Sequence, residues 1–385
     1  VEIDFWYTNI KPYTGIRDGI QRLNKTNFKN VDSDLIDPSR LNFLVFTLET
    51  EWTNFQTQPL THSNEFINLL IDLQDKNFYF IADNSGCAEH RVDSISLNFH
   101  ILLARNNFNF DRLIIANNDS SKVGYHKVRY GLHTMNSCFF PNFYLSTYNQ
   151  LKQYVTVLNP NLIPDKTFLC LNRRMNNDKY KMVEHLYNQG LLNETRLTWV
   201  GNYTDKDILN QNLIKELNID PFKPIQLEDD IIYGNELTDD QYLYTINPTW
   251  YYKSKVNIIT EAMLYPNLIH MTEKTWKAIY LGVPFVIYGP SKHYMKTLRD
   301  MGFKTFNSLI NEEYDEMTGD NKIEHIVNAA IELSKIYNTH EVLSICRYNQ
   351  KLYHNNREQI YNDLFLNHLY DIKKLSEPII KNGLI

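Results

Sequence analysis

The chain has 385 residues, 43% of them hydrophobic, 13% aromatic and 22% charged. That length exceeds one core of ordinary size, so two domains of roughly 150 to 200 residues are expected, and the composition excludes a disordered chain. The 39 Lys and Arg against 45 Asp and Glu leave a formal charge of −6, which gives no sign of a broadly basic surface for nucleic acid or anionic lipid and leaves room only for a local basic patch.

The N-terminal half alternates short apolar runs with longer amphipathic segments, the pattern of α/β units on a parallel sheet. Strands are predicted at Asn42–Leu48, Asn77–Ala82 and Arg112–Ala116. Phe66, Leu69, Leu70 and Leu73 have helical spacing between the first two, and a second helix fills Ile95–Ala104. Two prolines within Leu158–Asp165 break the periodicity and mark an interdomain linker. Beyond it, Lys166–Leu171 predicts a strand, followed by the polar Asn172-Arg173-Arg174 and a helix carrying Met182, Val183, Leu186 and Tyr187. Further strands are predicted at Arg196–Val200, Val256–Thr260 and Pro284–Tyr288, with helices at Lys274–Tyr280 and Lys292–Asp300. Leu227–Gln241 is acidic and aperiodic and reads as a loop or insertion, whereas Ile323–Leu375 is mostly helical. The expected fold class is α/β with two Rossmann-like domains, 1–160 and 165–340, and a helical segment, 341–385, that could pack back on the N-terminal domain.

The apolar stretch Ile279–Tyr288 is interrupted by Gly282 and Pro284 and falls short of the roughly 20 residues that span a membrane. The opening Val1-Glu2-Ile3-Asp4-Phe5-Trp6 has no basic leader region, so a cytoplasmic location is the expectation. Cys87, Cys138, Cys170 and Cys346 form no C-x-x-C pair and read as buried free thiols.

Polar information is densest at Thr260-Glu261 and at Thr272-Glu273-Lys274-Thr275-Trp276-Lys277, followed by Gly282 to Gly289. In α/β sheets ligands gather beyond the carboxyl ends of strands, where a helix N-terminus offers free N–H groups and a field that favours phosphate. A Glu there can accept hydrogen bonds from sugar hydroxyls, and Lys274 can neutralise a departing diphosphate. The competing reading is a capped surface helix with Glu273 complementing its dipole.

Tyr251-Tyr252-Lys253-Ser254-Lys255-Val256-Asn257-Ile258-Ile259-Thr260-Glu261, Thr272-Glu273-Lys274 and Gly282-Val283-Pro284-Phe285-Val286-Ile287-Tyr288-Gly289 together resemble the donor-binding region of α-1,3-fucosyltransferase-like GT-B glycosyltransferases. In that family a K-F-x-x-x-x-E-N segment precedes a T-E-K helix start and a G-x-x-P-V-x-x-G strand. Leu298–Phe306 is similar to viral and bacterial relatives of the same superfamily, and a viral source would place the protein in host cytoplasm. Ala262 stands where the family has Asn, and Phe285 where it has Val, so sugar and base do not carry over. The resemblance implies that Lys274 contacts donor phosphate, Glu273 the ribose or a neighbouring hydroxyl, and Glu261 the transferred sugar or the nucleotide, with Thr272 starting the helix. Phe168–Arg174 resembles the family's first donor-domain strand, whose closing Arg grips the diphosphate. Arg173 is the first choice for that role and Arg174 the second, with Asn172 beside them; a solvated basic turn is the alternative.

An inverting transferase also needs a base on the acceptor side. Asp83, at the end of the second predicted strand, is the leading candidate, with Glu49, Glu51 and Asp18 competing, and a turn cap as its structural alternative. The D-x-D matches Asp32-Ser33-Asp34 and Asp205-Lys206-Asp207 neither end a strong strand nor bring enough ligands, and His270 reads as a packed residue, so no metal and no cofactor is expected. The expected partners are a nucleotide diphosphate sugar as co-substrate and a glycan or lipid-linked saccharide as acceptor. A hydroxymethylated base in DNA is the alternative acceptor, with Arg105, Arg112, Lys122, Lys127 and Arg129 as its phosphate contacts, and net acidity weighs against it. A catalytically silent nucleotide- or sugar-binding protein on the same fold is the third reading.

Overall fold

A computed structural model describes residues 3–7, 28–31, 35–37, 40–47, 61–76, 78–83, 103–117, 124–127, 134–139, 144, 147–148, 151–152, 162–172, 176–199, 210–217, 247–261, 269–355, 359, 362–367 and 369. The chain divides into two compact units, Val1–Ser146 with Glu358–Ile385, and Thr147–Arg357. Each carries a mainly parallel sheet with helices, so the fold is two Rossmann-like α/β units with helices towards the C-terminus.

The first unit contains β1 (Ile3–Tyr7), β2 (Lys29–Asn30), β3 (Leu41–Thr47), α1 (Thr61–Gln74), β4 (Phe78–Asp83), β5 (Leu113–Asn117), β6 (Gly124–Lys127) and β7 (Thr134–Phe139). The sheet order is β2-β1-β3-β4-β5-β7-β6, parallel except where β6 meets β7. The continuous apolar run of β3 is what a sheet covered on both faces requires. On one face Trp6, Leu44, Phe46, Phe80, Ala82, Leu113 and Ile115 meet Phe66, Ile67, Leu70 and Leu73 of α1. On the other, Phe5 stacks with Phe28, Phe43 and Phe365. Burying each such ring stabilises by about 1.5–3 kcal/mol.

β1, β2, β6 and β7 are not among the strands expected from the sequence. In β1 the buried Asp4 interrupts the apolar run, and it is held by Lys29 at 2.7 Å and Arg40 at 3.0 Å. Asn42 accepts the Trp6 indole N–H at 2.8 Å, so a second buried polar group in the sheet is satisfied.

The second unit contains β8 (Lys166–Asn172), α2 (Asn177–Asn188), β9 (Thr195–Trp199), α3 (Gln211–Leu217), α4 (Pro248–Tyr252), β10 (Ser254–Thr260), α5 (Glu273–Leu281), β11 (Phe285–Tyr288), α6 (Tyr294–Asp300), α7 (Asp320–Ile336) and α8 (His340–Asn355). Its four strands run parallel in the order β11-β10-β8-β9. The helix expected from Lys292 begins at Tyr294 because His293 has a left-handed backbone (φ 72°) that no helical turn accepts. The expected 341–385 segment is divided: α8 belongs to the second unit, while 358–385 groups with the first. The split follows the packing, since Tyr353 of α8 stacks on Trp276 of α5, whereas Phe365 stacks on Phe5. Leu227–Gln241 and Leu158–Asn161 lie outside the described residues, and among those described no helix is long and apolar enough to cross a membrane.

Helix α5 is apolar or buried nearly all round, which suits a helix enclosed by its unit. It ends at Gly282, whose left-handed φ of 65° closes the C-terminus. A side chain at Gly282 would press on the Gln350 amide, and that amide donates to the Tyr280 carbonyl at 2.8 Å.

Candidate functional site

In the second sheet β8 lies between β9 and β10, so the chain leaves its carboxyl end in one direction and returns on the other side. Such a point opens a crevice for ligands beyond the strand ends. The last residues of β8 and β10 are tied there: the Thr260 hydroxyl donates to Asn172 Oδ1 at 2.6 Å, and both are fully buried. The Asn172 N–H donates to Thr198 Oγ1 at 2.9 Å, fixing the end of β9 to the same point.

Glu261 follows β10, and its N–H donates to the Tyr288 carbonyl at 2.9 Å. Its buried carboxylate accepts from the Thr272 N–H at 3.1 Å, the Thr272 hydroxyl at 2.5 Å and the Thr275 hydroxyl at 2.6 Å. Burial pushes its pKa up, against the opposing pull of Lys274 and of the two threonines. Glu261 therefore anchors the first turn of α5 to the sheet. With Thr272 as the N-cap, that turn is held at the carboxyl edge.

Glu273 and Lys274 open the helix. The Lys274 ammonium donates to Glu273 Oε1 at 2.7 Å and to Thr272 Oγ1 at 3.2 Å. Burial alone would raise the Glu273 pKa, but Lys274 and Lys277 outweigh it and hold the carboxyl at about 2. His270, also buried, is pushed down to about 4 by loss of water, so it is neutral at pH 7.

A further member comes from α2. Lys179 is 3% exposed and interacts electrostatically with Lys274, Glu273, Glu261 and Cys170. Asn176 caps this helix by accepting from the Lys179 N–H at 3.0 Å. Desolvation, then the nearby Lys274, lowers the Lys179 pKa to about 7. Among the described residues the cluster thus sets Lys179, Lys274 and Lys277 against Glu261 and Glu273. Lysines beside a helix N-terminus are a setting that can suit an anion.

The structure brings together Asn172, Glu261, Thr272, Glu273 and Lys274. Arg173, Arg174, Asp18, Glu49 and Glu51 lie outside the described residues, as do both D-x-D matches. The backbone of Asp83 ends β4, in register with Thr47 of β3 and Ala116 of β5. Lys179 and Thr275 were missed. The signal for Lys179 was present: with Met182, Val183 and Leu186 it falls at i, i+3, i+4 and i+7, a lysine inside an apolar stripe. Cys170 and Cys346 are buried free thiols, each pushed up to about 12 by burial. Among the described residues no group of three or more His, Cys, Asp or Glu is placed to hold a metal ion.

No protein-family model and no curated protein matches the chain. Two solved structures are similar at low level. An α,α-trehalose 6-phosphate synthase from Burkholderia multivorans gives a TM-score of 0.39 at 12% identity, covering 88% of this chain and 73% of that one. The glycotransferase of kitacinnamycin gives a TM-score of 0.33 at 10% identity, covering 96% of this chain and 99% of that one.

Proposed function

We propose that the protein is a glycosyltransferase of GT-B type that binds a nucleotide diphosphate sugar at the carboxyl edge of its second sheet and transfers the sugar to a hydroxyl with inversion. The observation that supports this reading most is the cluster of half-buried Lys274 with buried Glu273 and Glu261, at the strand-order reversal and the start of α5, with Lys179 beside it. The T-E-K start, on which the resemblance to fucosyltransferase-like enzymes rests, falls at this helix N-terminus.

In this reading Lys274 meets the diphosphate, and Arg173, with Arg174 as second choice, joins it from the segment that follows Asn172. Their charge stabilises the leaving diphosphate in place of a metal ion. Glu273 takes a hydroxyl of the nucleotide or sugar. Glu261, with its oxygens engaged by Thr272 and Thr275, acts through the helix as a positioning residue. The base that removes the acceptor proton is assigned to Asp83, with Glu49 and Asp18 as the competing carboxylates. The acceptor is a glycan or lipid-linked saccharide, and the protein works in the cytoplasm.

Release of nucleoside diphosphate from a panel of nucleotide sugars tests the reading. Slow hydrolysis or transfer is expected in the wild type, falling at least tenfold in Lys274→Ala with the fold intact by circular dichroism. Binding of nucleotide sugars with no turnover across donors and acceptors would instead identify a binding protein.

A further inference from the structure

We propose that the second unit carries a further binding site, one for a neutral saccharide, between the segment that follows α6 and the first two turns of α8. An open cavity of about 510 Å³ lies there, lined by Arg299 of α6, by residues 303–309 and by residues 340–345. Its size falls within the roughly 300–1,000 Å³ of small-ligand sites. None of its lining residues belongs to the cluster at the start of α5, so the inference goes beyond the nucleotide reading and does not depend on it.

The two walls are fixed to each other within the fold. Asn349 of α8, itself buried, accepts from the Lys304 N–H at 2.8 Å and donates to the Lys304 carbonyl at 2.7 Å. Glu312 holds the next two residues, accepting from the Thr305 hydroxyl and the Phe306 N–H, each at 2.8 Å. A preorganised wall of this kind lowers the entropic cost of binding. Onto the cavity come the exposed Asn307, Ser308, His340, Glu341 and Ser344, whose side chains make no hydrogen bond or ion pair with the described protein. Amide, hydroxyl and imidazole groups both donate and accept, which is the pairing that a sugar hydroxyl needs. The half-buried Leu309 and Ile345 add an apolar strip that suits the C–H face of a sugar ring.

Charge decides against a phosphate as the ligand. The Arg299 guanidinium is engaged by Glu312 at 2.8 Å and lies 4.0 Å from Asp315. The Lys304 ammonium lies 4.5 Å from the centre of the Tyr348 ring. Glu341 adds a carboxylate that a polyanion would have to face, whereas a neutral polyhydroxylated ligand meets the same carboxylate as a hydrogen-bond acceptor.

The test is saturation-transfer NMR of the full chain with the neutral trisaccharides maltotriose, cellotriose and triacetylchitotriose, followed by calorimetry on whichever binds. At least one is expected to bind. Asn307→Ala and Glu341→Ala are each expected to weaken that binding roughly tenfold, the equivalent of one hydrogen bond. Ser344→Trp fills the cavity from an exposed position and is expected to abolish it. Neither pyrophosphate nor a nucleoside diphosphate is expected to displace the sugar. Failure of all three trisaccharides to bind the wild type overturns the proposal and leaves the nucleotide reading standing. Binding that survives Ser344→Trp also overturns it, as does displacement by either phosphate compound, which would put the sugar at an anion site. Should Ser344→Trp not fold, Asn307→Ala decides, and unchanged affinity in that variant overturns the proposal.

Discussion

Two buried charge clusters in the second unit use the same devices to different ends. Beside α6, Asp315 accepts the N–H groups of Met295 and Lys296 at 2.9 and 2.8 Å, and so caps that helix as Thr272 caps α5. Glu312 accepts from the Phe306 N–H, the Thr305 hydroxyl and the Arg299 guanidinium, each at 2.8 Å. Lys322 donates to the Ser291 carbonyl. Among the described residues this second cluster sets Arg299 and Lys322 against Glu312 and Asp315, with the exposed Glu316 at its rim. Asp315 and Glu312 are absorbed in holding the chain. Beside the start of α5, Lys179, Lys274 and Lys277 lie near Glu261 and Glu273. Buried acids that cap backbone belong to architecture, whereas burying Lys179 costs stability, as the lowering of its pKa to about 7 shows.

The contrast can be broken by substitutions that ought to act with opposite sign. Glu312→Ala leaves the Phe306 N–H and the Arg299 guanidinium without their acceptor. It is expected to cost about 3 kcal/mol in urea unfolding, with nucleotide affinity per folded molecule unchanged. Lys179→Met should do the reverse and raise stability by about 2 kcal/mol at pH 7.5, because an apolar side chain of similar length replaces an amine that gives up its water and most of its proton on folding. The sign in pH follows from its pKa, which is about 7 folded against 10.5 for a free lysine. Unfolding takes up a proton between those values, so wild-type stability rises with pH and the advantage of the variant vanishes near pH 10.5. A Lys179→Met protein less stable than wild type at pH 7.5 would place this lysine with the architectural group.

Gly289→Ala probes the ground between the clusters. Its Cβ would run into the Tyr294 ring, which packs at the start of α6, and the expected cost is about 1.5 kcal/mol in thermal unfolding. The exposed Lys296–Asp300 pair, 2.6 Å apart on α6, sets the baseline. Lys296→Ala is expected to change stability by less than about 0.5 kcal/mol, and a larger shift would mean that surface charge reaches the capped cluster beneath.

The parts of the fold legible in the sequence are those where burial on both faces writes an unbroken apolar run. β3, β4, β5, β8 and β11 are mainly of this kind, β9 and β10 were foreseen although polar residues interrupt them, and the predicted bounds differ from the observed ones by a residue or two where both ends are described. β1 was hidden because Asp4 sits inside it, and only Lys29 and Arg40, far along the chain, make that position tolerable. The site divides in the same manner. Thr272, Glu273 and Lys274 are contiguous and carry a cap signature, so they could be read directly. The link from Glu261 to Thr275 spans fourteen positions and depends on where β10 stops. Lys179 was readable only as an exception, a charge on the apolar side of its helix, and its meaning depends on β8 delivering that helix to the same edge.

Helix α5 is fastened at both ends. Glu261 holds its first turn, and Gln350 of α8 grips the Tyr280 carbonyl beside the left-handed Gly282. Nine residues make a rod about 13 Å long, with Trp276 and Tyr280 ringed by Tyr353 and His354 along its side. Such a rod transmits displacement instead of absorbing it. Gln350 and Glu261 thus fix the two ends of α5, so that α8 as well as the sheet sets where Lys274 stands along the helix axis.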